Sequence, residues 1–232
     1  MQQYFINQPL QLNQSINLEQ SIVFHLTKVL KTKPKTIIRL VDYNGQGYLS
    51  ELNHNCTQAL TLKPINDKKD AHHEVTLIMS LIKKERFEWT IQKATELGVS
   101  KIIMLETSRC VVKLDSKDTD KKLLRYFSIA KEAAEQSHRL TIPKIEGPIN
   151  INQLDHYLSD VNYVFYENTD PNNRPLLPKS MTSYSVIIGP EGGFSEDEIA
   201  KIEALGFIQA SLTHRILRSE TAAMMACVLC GG

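Results

Sequence analysis

The stretch Y-S-V-I-I-G-P-E-G-G-F-S-E-D-E at residues 184–198 decides the fold of the C-terminal part of the chain. It begins as an apolar strand pattern, continues as a glycine-rich loop, and ends with Ser195 and Glu198 at the spacing of a helix capping box. A strand that leads through such a loop into a helix is typical of α/β proteins, which bind ligands beyond the carboxyl ends of parallel strands. The stretch therefore predicts a ligand site, and a tight turn without any ligand remains the alternative.

The loop does not have the spacing of a phosphate-binding loop. Neither G-x-G-x-x-G nor G-x-x-x-x-G-K-[ST] is present, and Glu191 would repel a phosphate group. Its glycines, Gly189, Gly192 and Gly193, allow a ligand to approach the backbone closely. The loop thus favours a ligand without phosphate.

Strand and helix patterns alternate on both sides of this loop from about residue 73 to residue 232. Apolar runs at 74–82, 101–107 and 162–167 predict strands, and helical spacing predicts helices at 86–99, 121–137, 195–205 and from about residue 219. This alternation predicts an α/β domain with a mostly parallel sheet.

Residues 1–72 show a different pattern and predict a small, mostly β domain. The segment 36–52 reads as two strands joined by Asn44-Gly45-Gln46-Gly47, which is hairpin chemistry. Residues 28–39, which overlap the start of this segment, contain five basic residues and no acid. This run is either a solvated basic face or a phosphate-contacting patch, and its composition does not choose between them.

The composition excludes several classes of protein. Of 232 residues, 42% are hydrophobic and 23% are charged, which is ordinary for a globular chain and argues against disorder. There is no apolar run long enough to cross a bilayer, and no signal-peptide pattern at the start. Four cysteines in this length do not make a disulfide framework. We therefore expect a cytoplasmic protein without a membrane partner.

The last segment, residues 212–229, carries the other candidate functional residues. Arg215 and Arg218 precede Glu220, which falls in the first turn of a helix that is apolar nearly all round. The arginines either serve a site or form a surface ion pair with Glu220. Cys227 and Cys230 lack a second pair at zinc spacing, so we interpret them as core thiols and expect no metal.

Taken together, G-P-E-G-G-F-S-x-x-E and the later R-I-L-R-x-E-T-A resemble the C-terminal motifs of the RsmE family, the ribosomal RNA small subunit methyltransferases of the SPOUT class. The segments at 93–98, 109–113 and 132–139 also resemble this family, in the same order. One position departs from it: Thr213 stands where the family usually has glycine. A threonine there is costly if the backbone requires a positive φ angle.

The resemblance implies a fold and an activity. The fold is a C-terminal SPOUT domain at 73–232, with a parallel sheet and a trefoil knot, behind a PUA-like β-barrel at 1–72 that holds RNA. The activity is methylation of N3 of a uridine in 16S ribosomal RNA, free or in the assembled small subunit, with S-adenosylmethionine as cofactor. The resemblance also implies a homodimer, and we assign the apolar last helix to its contact.

The resemblance also carries roles to individual residues. The positions that match the cofactor site are Glu167, Gly189, Glu191, Gly192, Leu212, Ile216, Leu217, Thr221 and Ala222. We expect Arg218 and Arg215 to stabilise the uracil anion, and a nearby carboxylate such as Glu220 to take the N3 proton. The residues expected to contact RNA are Lys31, Lys33, Lys35, Arg109 and Arg139.

Two other functions remain open at this point. A non-catalytic RNA-binding protein could keep the two-domain body, although it has no need of both C-terminal motifs. An α/β enzyme for a small molecule could use the glycine loop for a different ligand, although the basic N-terminal domain argues against that.

Overall fold

The computed structural model describes residues 1–66, 73–178 and 182–231, and these form two compact units. The first unit contains residues 1–66 together with residues 134–141, and the rest of the described chain forms the second. The predicted domain boundary between residues 72 and 73 falls at the edge of the segment 67–72, outside the described residues, and stays a prediction.

The first unit is built on a curled five-stranded sheet, a half-barrel, in the order β1-β3-β4-β5-β2. Its strands pair antiparallel except for β1 with β3. A short helix, α1, and a π-helical turn lie between β2 and β3 in the chain. The elements are β1 (Gln3–Phe5), β2 (Ser15–Asn17), α1 (Gln20–Phe24), the π-helical turn (His25–Val29), β3 (Ile37–Val41), β4 (Gly47–Leu52) and β5 (Gln58–Pro64).

The predicted hairpin of the first unit is confirmed as β3 and β4. Asp42 organises its turn, because its Oδ1 accepts hydrogen bonds from the backbone N–H groups of Asn44 and Gln46 at 2.8 and 2.9 Å. Gly45 supplies the left-handed backbone of the turn at φ +78°.

The second unit is an α/β domain whose six strands are all parallel, as the alternation of patterns predicts. The strand order is β11-β9-β10-β6-β7-β8. Its strands are β6 (Glu74–Ser80), β7 (Lys101–Leu105), β8 (Lys144–Ile149), β9 (Val161–Phe165), β10 (Ser183–Ile188) and β11 (Ile208–Ala210). Its helices are α2 (Lys84–Glu96), α3 (Ser116–Ser137, whose residues from 134 onward belong to the first unit), a 3₁₀ helix (Ile151–Tyr157), α4 (Glu196–Ala204) and α5 (Ser219–Gly231).

Each face of this sheet has its own hydrophobic core, because successive side chains of a strand point to opposite faces. On β6, Leu77 and Met79 join one core, with α2, α3 and α5, while Ile78 joins the other, with the 3₁₀ helix and α4. All three are fully buried, and burial of such a side chain contributes roughly 1.5–3 kcal/mol. The two cores fix the strand ends in space.

Helix α5 is buried less completely than its sequence suggests. Cys227 and Cys230 lie in the core, where burial raises the pKa of both thiols, for Cys230 to about 12. They are therefore inert core residues, as the sequence interpretation holds. Val228, in contrast, is 57% exposed.

Among the described helices, none combines the length and apolar character needed to span a membrane. The trefoil knot stays a prediction from the resemblance.

Candidate active site

A pocket lies at the carboxyl end of three neighbouring strands of the second unit. Strand β9 pairs in parallel with both β10 and β11, so the segments that follow these strands meet at one edge of the sheet. The walls of the pocket are Phe165, Tyr166, Glu167, Thr169 and Pro171 after β9, Ile188, Gly189 and Pro190 after β10, residues 210–217 after β11, and Ser219 and Ala222 of α5.

Hydrogen bonds join two of these walls to each other. The backbone N–H of Ser211 donates to the carbonyl of Asn173 at 2.8 Å, and Asn173 Nδ2 donates to the carbonyl of Gln209 at 2.8 Å. Thr169 and Gln209 are joined through their side chains at 3.1 Å. The segments after β9 and β11 are thus held together by hydrogen bonds within the protein.

The third wall, the glycine loop, has two positions where only glycine fits. A Cβ atom on Gly189 would lie 2.9 Å from the ring of Phe194, whose side chain is 1% exposed. Gly193 has a φ of +66°, and a Cβ there would overlap the carboxylate of Glu167. The glycines therefore allow the loop to fold over Phe194 and to pack against an acid of the pocket.

The chemical character of the pocket fits S-adenosylmethionine. Its walls combine apolar side chains, including Ile188, Leu212, Leu217 and Ala222, with hydroxyl side chains of Thr169, Ser211 and Ser219, while Arg215 is exposed. Glu167 is the acid among the described lining residues. Such a site suits a ligand that has both apolar and polar parts and a positive group for the carboxylate.

Of the predicted cofactor residues, six line the pocket: Glu167, Gly189, Leu212, Ile216, Leu217 and Ala222. Three others do not, namely Glu191, Gly192 and Thr221. Among the predicted catalytic residues, Arg215 lines the pocket while Arg218 and Glu220 do not, although Ser219 between them does. The individual roles stay predictions.

The structure adds a residue that the sequence interpretation missed, Arg86 of α2. Its Nη1 lies 3.5 Å from Glu191 Oε1, and its Nε lies 3.8 Å from Glu220 Oε1. No local pattern marks Arg86, because it lies far upstream of both motifs. The parallel pairing of β6 with β10 and the packing of α2 against α5 bring it to them.

Arg109 is an anchor of the glycine loop in this structure. Its Nη1 donates to the carbonyls of Gly192 and Phe194 at 3.0 and 3.2 Å. The resemblance assigns an RNA contact to Arg109, which stays a prediction. The guanidinium would have to contact the RNA while it also donates to these two carbonyls.

The predicted capping box at the start of α4 is confirmed. Ser195 Oγ accepts from the backbone N–H of Glu198, and Glu198 Oε2 accepts from the N–H of Ser195. Glu198 Oε1 also accepts from the N–H of Ser108 at 2.6 Å. Burial raises the pKa of Glu198, but these hydrogen bonds outweigh it, so the pKa lies below its ordinary value.

The remaining predicted RNA contacts lie in the first unit and differ in exposure. Lys31, Lys33 and Lys35 are exposed, and Lys31 and Lys35 have left-handed backbones at φ +49° and +62°. Arg139 is only 3% exposed, and its Nη2 donates to Thr141. Its burial gives no support to a direct phosphate contact by this side chain.

Thr213 does not have a positive φ angle, so its backbone is not strained in the way that the sequence comparison suggests. The non-glycine residues with positive φ in the described chain are Asn13, Lys31, Lys35, Cys56 and His138. The described residues also contain no cluster of three or more histidine, cysteine or acidic side chains placed to hold a metal ion.

Comparison with known proteins first identifies the class of protein to which the second unit belongs. The model of the RNA methyltransferase domain family matches residues 69–230, which contain the parallel sheet and the pocket. The second unit is therefore an RNA methyltransferase domain.

Curated relatives then give the particular family. The chain is 33% identical to ribosomal RNA small subunit methyltransferase E of Mesomycoplasma hyopneumoniae, over 99% of each chain, and 31% identical to that of Bacillus subtilis, over 97% of this chain and 94% of that one. It also superposes on the crystal structure of this enzyme from Neisseria gonorrhoeae bound to S-adenosyl methionine, with a TM-score of 0.87, 28% identity, and coverage of 99% and 96%. The chain belongs to the ribosomal RNA small subunit methyltransferase E family.

Proposed function

We propose that the chain transfers a methyl group from S-adenosylmethionine to N3 of a uridine in 16S ribosomal RNA. The observation that carries the proposal is the pocket after β9, β10 and β11, which gathers six of the nine predicted cofactor residues around one carboxylate. Membership of the methyltransferase family supports the same chemistry.

The chain's own residues would hold the cofactor through shape and charge. Leu212, Leu217 and Ala222 offer apolar walls, and the carboxylate of Glu167 offers a partner for a positive group. When bound, the cofactor supplies an activated methyl group. The glycine loop closes one side of the pocket, because Phe194 anchors it in the core.

The mouth of the pocket supplies positive charge for the acceptor base. Arg215 lines the pocket, Arg218 follows it three residues later in the sequence, and both are exposed. Loss of the N3 proton places negative charge on uracil O2 and O4, and cations held near these atoms lower the barrier. We propose that Arg215 and Arg218 act in this way.

The surroundings of Glu220 do not favour its predicted role as the base. Its Oε1 faces Arg86, its side chain is 14% exposed, and its Oε2 is shielded from solvent without a hydrogen-bond partner. A carboxylate held in this way is poorly placed to reach a uracil at the mouth of the pocket and take its N3 proton. We therefore propose that the arginines promote release of the proton to solvent, and that Glu220 supports the pocket.

The RNA substrate must present an unpaired or flipped uridine, because N3 lies in the Watson–Crick edge. We propose that Lys31, Lys33 and Lys35 of the first unit contact phosphates near the target, whether the substrate is free RNA or the assembled subunit. All three are exposed, as such contacts require.

We further propose that the chain acts in the cytoplasm as a homodimer in contact through α5. Val228 is 57% exposed, and Met224, Met225 and Leu229 are only partly buried within the chain. A second copy that covers this side would bury apolar surface that one chain leaves in water. Light scattering should give twice the chain mass, and Val228→Glu should shift it toward the monomer.

One experiment tests the proposed activity. The protein is incubated with methyl-labelled S-adenosylmethionine and small ribosomal subunits or 16S RNA from cells that lack this modification, and the nucleosides are then separated. We expect label in N3-methyluridine. The absence of label from the RNA, or its presence in another nucleoside, would contradict the proposal.

A further inference from the structure

We propose that Arg86 is a positioning residue for the cofactor pocket, which it maintains by joining the glycine loop to the start of α5. The inference rests on the proposed function, because it assigns a role in the binding of the same cofactor. It identifies a residue that lies outside both C-terminal motifs.

The sheet explains why Arg86 reaches both motifs. Strand β6 pairs in parallel with β10, with Met79 opposite Ile188, so the chain leaves both strands at the same edge. After β6 it enters α2, and after β10 it enters the glycine loop. Helix α2 also packs against α5, which places Arg86 between two segments that are distant in sequence.

Each acid that Arg86 contacts is next in sequence to a wall of the pocket. Glu191 follows Pro190, and Glu220 follows Ser219, and both Pro190 and Ser219 line the pocket. Because one guanidinium contacts both acids, it fixes the separation of these two walls.

The electrostatics make this link matter more than an ordinary surface ion pair. The exposed fractions of the side chains are 36% for Arg86, 26% for Glu191 and 14% for Glu220. Without the guanidinium, both carboxylates lose the cation that they contact, and Glu220 is then a largely buried acid without a counterion from Arg86. We expect the loop to move away from α5 in response, which widens the pocket.

The side chain can be changed without removing core atoms. Arg86 projects from the first turn of α2, while the neighbouring Phe87 is 1% exposed and Ile91 is fully buried, so these residues hold the helix in place. A lysine at position 86 restores one positive charge. It lacks the planar fork that lets arginine engage two acids at once.

The test compares Arg86→Ala and Arg86→Lys with the wild type by calorimetry with S-adenosylmethionine and by steady-state kinetics. We expect Arg86→Ala to raise the cofactor Kd and KM about tenfold, while kcat at saturating cofactor changes less than about threefold. Arg86→Lys should recover part of the affinity. Lys84→Ala is the matched control, because Lys84 lies on the same helix, is 63% exposed and contacts Glu88 instead.

A double-variant cycle separates positioning from a general loss of stability. If Arg86 acts through Glu191, Glu191→Gln should weaken cofactor binding in the wild type but have little further effect in Arg86→Ala. If Arg86 only stabilises the fold, Arg86→Ala should lower Tm without raising the cofactor KM relative to kcat. Glu191→Gln should then weaken cofactor binding as much in Arg86→Ala as in the wild type.

The outcomes distinguish this inference from the proposed function. Wild type that binds no S-adenosylmethionine overturns both. Wild type that binds it, with Arg86→Ala binding equally well, overturns only the role of Arg86. If Arg86→Ala fails to fold, Glu191→Gln and Glu220→Gln decide: weaker cofactor binding in both supports the link, and unchanged binding in either one overturns it.

Discussion

The cofactor pocket and the lysine loop, residues 31–35 of the first unit, are both assigned to the same reaction, but they are built differently. The pocket is enclosed by three segments that hydrogen bonds and the buried Phe194 hold in register. The lysine loop places three charges in solvent, two of them on left-handed backbone. The pocket therefore depends on shape at short range, whereas the loop depends on charge at long range.

This difference predicts two kinds of variant. Changes in the pocket should alter cofactor affinity or the rate of transfer with little dependence on salt. Changes in the loop should alter RNA affinity and its salt dependence, because exposed charges are screened within about 8 Å at physiological ionic strength.

The largest effect is expected at the mouth of the pocket. Arg215→Ala and Arg218→Ala should each slow methyl transfer about hundredfold, because each removes a cation that we propose to act on the developing uracil anion. Single-turnover rates at saturating RNA and cofactor measure this. Arg215→Lys and Arg218→Lys are the controls that keep the charge. Full activity of Arg218→Ala would show that the arginine outside the pocket walls has no part in the chemistry.

A smaller effect is expected inside the pocket. Gly193→Ala puts a Cβ into the carboxylate of Glu167 on a backbone at φ +66°, so it should displace that acid and weaken cofactor binding about thirtyfold. Calorimetry measures this. Gly206→Ala is a matched control, because Gly206 also has a positive φ, +100°, but a Cβ there meets nothing within 4 Å. Equal cofactor affinity in the two variants would contradict the role of Glu167.

The lysine loop should respond differently. Replacement of Lys31, Lys33 and Lys35 by glutamine should weaken RNA binding about tenfold and lower the slope of log K against log salt by about 2. Cofactor affinity should not change. The control variant replaces Lys121, Lys144 and Lys201, which are also exposed but lie in the second unit. An unchanged salt slope in the loop variant, or an equal loss in the control, would contradict the proposed contact.

The smallest effect is on stability and depends on pH. The pKa of Glu198 is lower in the folded protein than its ordinary value of 4.5, so its contribution is present above that pH and is lost as the pH falls through the folded value. Glu198→Gln should therefore cost about 1 kcal/mol of unfolding free energy at pH 7. The difference from wild type should shrink below pH 4.5.

Denaturant titrations at several pH values measure this difference. Glu196→Gln is the control, because Glu196 is an exposed acid in the same helical turn. A difference between wild type and Glu198→Gln that does not vary with pH would mean that the ionised form of Glu198 is not the one that caps α4.

Local chemistry made much of the fold predictable. The capping box of Ser195 and Glu198 marks the start of α4, and the glycine turn at Gly45 marks the hairpin, because both act over a few residues. Strands β8 and β11 of the second unit carry no clear strand pattern. Strand β11 has only three residues and Ile208 is 57% exposed, while β8 contains Gly147 and Pro148, which interrupt a strand pattern.

The candidate site was predictable only where its residues lie within motifs. Leu212, Leu217 and Ala222 belong to one continuous segment, so the resemblance identifies them together. The ion pairs of Arg86 and the hydrogen bonds from Arg109 to the glycine loop arise from the order of strands in the sheet. A single sequence holds no local signal for such contacts.

The most direct test of the central claim is a crystal structure of the protein with S-adenosylmethionine. We predict the cofactor between Glu167, the segment 210–217 and Ala222, at the carboxyl ends of β9, β10 and β11. Cofactor density at another place, or side chains that fill this pocket while the donor is present, would contradict the account.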